Sequence, residues 1–73
     1  MIVAERHGRV DSFDAEVGLG QVIDDTGARW TFHCTTIADG TRRIETGAPV
    51  RFRLGPGGPG RWEAFDIRPS TGP

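Results

Sequence analysis

Two kinds of side chain in this sequence could do chemistry at a surface: flat rings that stack, and guanidinium groups that hold anions. The candidate rings are Phe13, His33 and Trp62, and the candidate cations are Arg9, Arg29, Arg42, Arg43 and Arg61. A ring offers stacking area at low entropic cost, and a guanidinium combines a fixed fork of donors with a plane that itself stacks. Catalytic chemistry finds much less. The ten carboxylates are spread over turns and polar stretches, where turn formation accounts for most of them, and no nucleophile stands with a base. Cys34 is the single cysteine, and His7, His33 and Cys34 are too few to close a zinc site. No enzyme activity, metal or cofactor is expected.

The elements that must position these groups are short β-strands. Glu5 to Phe13 spreads β-branched and aromatic residues between polar ones and reads as strand one, bent by Gly8 or by a bulge. Asp14 to Gly18 is too short for a stable helix and reads as a turn. Strand two follows from Gly18 to Ile23, and Asp24-Asp25-Thr26-Gly27 is a hairpin signal in which Gly27 takes a positive φ. Strand three, Ala28 to His33, alternates Trp30 and Phe32 with Arg29, Thr31 and His33, so its rings face the core.

Cys34 to Gly47 lacks alternation and reads as a long connection with one helical turn near Thr35 to Ala38. Strand four is expected from Val50 to Leu54, with Val50, Phe52 and Leu54 inward and Arg51 and Arg53 outward. Gly55 to Gly60 is a loop by composition, without the features of a phosphate cradle. Strand five then spans Arg61 to Ile67, where Trp62 and Phe65 differ in parity, so a regular strand leaves one of them exposed. Residues 69–73 read as a flexible tail after a single domain of residues 1–68.

Composition limits the functions available. A chain of 73 residues buries only about 60% of its unfolded surface and makes one small domain. Its net charge of −1 supplies no overall field toward a polyanion, so any nucleic-acid contact must come from local patches. The N-terminus meets charge after three apolar residues, which offers neither a signal-peptide core nor a membrane span. With one cysteine and no membrane segment, a reducing, cytoplasmic setting is the expectation.

Five strands with a long connection after the third suggest an all-β, five-stranded antiparallel Greek-key barrel of the OB type. Within that frame the chain resembles the cold-shock domain family over roughly Gly8 to Ile67. The residues that carry the resemblance are Gly8, Val10 and Ser12-Phe13-Asp14, then Val17-Gly18-Leu19-Gly20-Gln21-Val22, then Trp30-Thr31-Phe32-His33-Cys34. Beyond them stand Thr36-Ile37, Arg42-Arg43-Ile44 and Thr46-Gly47-Ala48-Pro49-Val50-Arg51-Phe52.

The resemblance implies binding of single-stranded RNA or DNA on a platform of aromatic side chains from strands one to three. Here the platform positions hold Ser12, Leu19, Gln21, Thr31 and Cys34, with Thr41 in place of a loop aromatic, and only Phe13 and His33 keep rings. At roughly 1–3 kcal/mol per stacked base, the loss of even four of these platform rings removes about 4–12 kcal/mol if the losses add. Asp11 and Val17 also stand where the family carries basic residues. The first functional expectation is therefore weak, sequence-tolerant single-strand binding through Phe13, His33, Trp62 and the arginines 9, 29, 42, 43 and 61. The alternative is a barrel that serves as a protein-interaction or self-association module through Leu19, Gln21, Thr31 and Trp62.

His33 reads equally as a base-stacking residue or as an unpartnered strand histidine. Phe13 reads as core or rim packing ahead of stacking, and Cys34 as a small buried apolar residue.

Overall fold

The computed structural model describes residues 5–38, 44–58 and 60–70. Within them the β-branched and aromatic runs form five strands: β1 (Arg6–Asp14), β2 (Leu19–Asp24), β3 (Arg29–His33), β4 (Pro49–Gly58) and β5 (Arg61–Pro69). They make one antiparallel sheet in the order β3-β2-β1-β4-β5. The end strands β3 and β5 touch, and Ile37, just after β3, bridges Ile67 in parallel. No ladder joins β3 to β5 among the described residues, so the sheet is all-β and antiparallel without the closed hydrogen-bonded barrel of the expectation.

Three irregularities decide which side chains face inward. Val10 pairs with Val22 but Ser12 pairs with Gln21, so Asp11 is an extra residue in β1. The strand bends there, and inward parity passes from Val10 to Phe13. The bulge falls at Asp11, three residues beyond Gly8. In β5, Arg68 and Phe65 oppose Arg51 and Arg53, leaving one surplus residue. Asp66 takes it up at φ 53°, a left-handed conformation that Asp tolerates better than most side chains. Ala64 and Ile67 consequently both reach the core although their spacing is odd. The third shift, between Pro56 and Gly58, lies near the hairpin tip.

The core is Val10, Val22, Phe32, Ile37, Val50, Phe52, Leu54, Ala64 and Ile67, with Phe13, Trp30, Cys34, Ile44 and Ala48 packed against it. Gly20 lies between Phe13 and Phe32 in the cross-strand row and explains how two rings fit there. A Cβ on Gly20 would stand 2.5 Å from the Ser12 carbonyl and 2.6 Å from the Phe32 ring. Its absence lets the rings stack across the strand, centroids 5.8 Å apart and planes 5° from parallel.

Two expectations are corrected. The segment from Gly55 to Gly58 is strand and not loop, because β4 continues and pairs Gly55, Pro56 and Gly58 with Glu63, Trp62 and Arg61. Among the described residues β5 is the only partner of β4 beyond Phe52, and a strand paired on one side tolerates a proline at alternate positions. The tail expected from residue 69 is anchored at its start: Pro69 belongs to β5, and the Ser70 N–H donates to the Pro49 carbonyl at 3.0 Å. The connection after β3 opens with a 3₁₀ turn at Cys34–Thr36, one residue ahead of the helical turn expected near Thr35.

Candidate nucleic-acid interface

Cross-strand pairing places the outward side chains of β1, β2 and β3 in rows. One row is Ser12, Gln21 and Thr31, the next Asp14, Leu19 and His33, and the third Arg9, Ile23 and Arg29. Paired residues share a face, so these rows are the surface on which the expected platform would stand. His33 is the only ring in them, and it is exposed beside Leu19, itself 39% exposed. Arg9 and Arg29 lie at the other end of the same face. Four residues of strand separate Arg29 from His33, about 13 Å.

Phe13 is not on this face. The Asp11 bulge turns it inward, where it lies half-buried against Phe32, so the packing reading is the observed one. Arg61 and Trp62 are exposed at the tip of the β4–β5 hairpin, outside the three rows; Trp62 keeps 48% of its surface open while Phe65 is partly buried. Arg42 and Arg43, like Thr41, lie outside the described residues. Cys34 is half-buried against the core, its N–H donating to the Gly18 carbonyl at 2.8 Å.

Electrostatics narrows the basic rim further. Nine arginines, less Arg42 and Arg43, leave seven that the structure describes, and five of those stand within ion-pair distance of carboxylates. Arg29 Nε donates to Asp11 at 3.1 Å, Arg68 binds Asp66 at 3.0 Å, and Arg53 and Arg51 approach Asp66 and Glu5 at 3.8 and 3.9 Å. Exposed pairs of this kind are worth about 0–1 kcal/mol, too little to lock the guanidinium but enough to compete with a phosphate. Among the described residues only Arg9 and Arg61 have no carboxylate partner.

The residue that sequence reasoning missed is Asp24, which in the sequence shows only its part in the β2–β3 turn. Its side chain is fully buried and collects the Thr26 N–H and hydroxyl, the Ala28 N–H at 3.0 Å and the Trp30 Nε1–H at 3.0 Å. Arg6 adds a charged contact at 3.3 Å. Burial by itself would raise the carboxyl pKa, but the hydrogen bonds from Thr26, Trp30 and Ala28 outweigh it and hold the group well below the usual range. The Asp-x-Thr-Gly turn was the available signal. The far partners, Trp30 and Arg6, have no local signature. Asp24 ties the β2–β3 turn to β1 and β3 and is enclosed, so it is a structural group.

A second feature without a sequence signal is a concavity of about 430 Å³ lined by Phe13, Ala15, Ile44 and Glu45. It brings the β1–β2 turn against the end of the long connection. Among the described residues no group of three His, Cys, Asp or Glu is placed to hold a metal ion, and no helix is long and apolar enough to cross a membrane.

No family model matches the chain, and no curated protein matches it. What stands is a small all-β domain with an exposed three-strand face.

Proposed function

We propose that the chain is a cold-shock-like domain of the OB type that binds single-stranded nucleic acid weakly and with little sequence preference. The strand order, the contact between β3 and β5 and the Ile37–Ile67 bridge support the Greek-key barrel reading. The observation that carries the function is the open face of β1, β2 and β3, where His33 and Arg9 are exposed. A base stacking on His33 contributes about 1–3 kcal/mol and the arginines a salt-dependent share.

Fluorescence titration with oligo-dT and mixed-sequence RNA at low salt tests this. Two phosphate contacts, from Arg9 and Arg61, give a log–log salt slope of about −1.4, and engagement of Arg42 and Arg43 as well steepens it to about −2.8. Absence of binding at about 100 μM strand, or a signal indifferent to salt, removes the reading.

A second reading, a protein-interaction or self-association module, is favoured by exposed apolar side chains: Val17 at 64%, Trp62 at 48% and Leu19 at 39%. Light scattering over a concentration series, with Leu19→Asp and Trp62→Ala, separates it from the first. Concentration-dependent mass abolished by either substitution supports it, and a monomer at every concentration argues against self-association.

A further inference from the structure

We propose that the concavity beside Phe13 is a base pocket that prefers guanine within a single strand. The inference rests on the single-strand reading above and adds a selectivity to it. Phe13 supplies a ring wall, with Phe32 stacked on it and Gly20 leaving room between their strands. The ring is thereby fixed in place and loses little freedom when a second flat group packs on what remains open. Ala15 and Ile44 supply aliphatic walls, and the open concavity of about 430 Å³ has room for one purine.

The polar member of the lining is Glu45, which is exposed and has no ion-pair partner among the described residues. A carboxylate only accepts hydrogen bonds. It also repels phosphate, so of the parts of a nucleic-acid strand the one that enters is a base, and it must present N–H donors. Guanine offers two adjacent donors on its Watson–Crick edge, the N1–H and the N2 amino group, which match two carboxylate oxygens. Adenine and cytosine set one amino group beside a ring acceptor, and thymine or uracil sets one N–H between two carbonyls. Only guanine therefore meets Glu45 without placing an acceptor against it.

The test is a ¹H–¹⁵N chemical-shift titration of the whole chain with three strands: oligo-dT, the same strand with one central guanine, and the same strand with inosine, which lacks the 2-amino group. Guanine should tighten binding about fivefold or more, and inosine should lose most of that gain. Shifts should centre on Phe13, Ala15, Ile44 and Glu45. Glu45→Gln should abolish the preference with an unchanged unfolding midpoint, since Glu45 is exposed. Equal affinity for guanine and thymine strands, or a preference that survives Glu45→Gln, overturns the pocket and leaves single-strand binding standing. Absence of binding to all three strands at about 100 μM removes both.

Discussion

The two faces of the β1–β2–β3 segment are built to opposite rules. Inward, the rows pair Val10 with Val22 and Trp30, and Phe13 with Gly20 and Phe32, and Asp24 gathers donors from three directions. Outward, the rows hold Ser12, Gln21 and Thr31, then Asp14, Leu19 and His33, with a single ring among the six. Among the described residues no buried side-chain polar atom lacks a partner. The contrast teaches that most of the segment's aromatic and hydrogen-bonding capacity is committed to holding the sheet together, and that little of it is left on the outward surface.

Breaking the inner face should have the largest effect. Asp24→Ala removes a fully buried acceptor and leaves the Thr26, Ala28 and Trp30 donors without it, so unfolding stability should fall by about 3–5 kcal/mol in a denaturant titration. A loss below about 1 kcal/mol would mean that the site rehydrates and that the inner face is not closed. Next, Gly20→Ala forces a Cβ against the Ser12 carbonyl and the Phe32 ring, and should cost about 2 kcal/mol and separate the Phe13–Phe32 pair.

Acid probes the same face without a mutation. The native Asp24 carboxyl is held below its ordinary value, so the unfolded chain takes up a proton first as pH falls. The stabilisation is complete above the unfolded carboxyl value of about 4, and it is lost at about 1.4 kcal/mol per pH unit as pH falls from there toward the lowered native value. Asp24→Asn should flatten that dependence, and an unchanged acid slope in the variant would place the titrating group elsewhere.

The smallest expected effect belongs to the outer face. Asp11→Ala should change stability by no more than about 1 kcal/mol, because its partner Arg29 is an exposed pair. The same substitution frees the Arg29 guanidinium and removes a carboxylate from the bulge, so oligo-dT affinity should rise and its salt slope steepen by about 0.7. Unchanged salt dependence would show that Arg29 does not face the strand.

Alternation and turn chemistry were legible in the sequence. Trp30 and Phe32 against Thr31 and His33, Val50, Phe52 and Leu54 against Arg51 and Arg53, and the positive φ of Gly27 in the β2–β3 turn all follow from local pattern. The extent of β4 was not, because glycine and proline signal a loop by propensity, whereas pairing with β5 carries the strand on to Gly58. Among the candidate residues, the exposure of His33, Arg9 and Arg61 could be read from position, whereas parity left open which of Trp62 and Phe65 is exposed, and the structure shows Trp62. The inward turn of Phe13 could not, since it depends on the one-residue bulge at Asp11. Ala15, Ile44 and Glu45 shared no motif before folding brought them together.

What the amino-acid order determined by itself is the set of strands, their turns and the scarcity of rings at the outward positions, because these depend on neighbours two to four residues away. The tertiary structure alone decided where parity slips, at Asp11 and Asp66, which distant groups meet, Arg29 with Asp11 and Trp30 and Arg6 with Asp24, and that Glu45 and Phe13 line one concavity. A bulge is a compromise between two strands, and a buried carboxylate is tolerable only when remote donors arrive together. Neither condition can be stated within a single segment of chain.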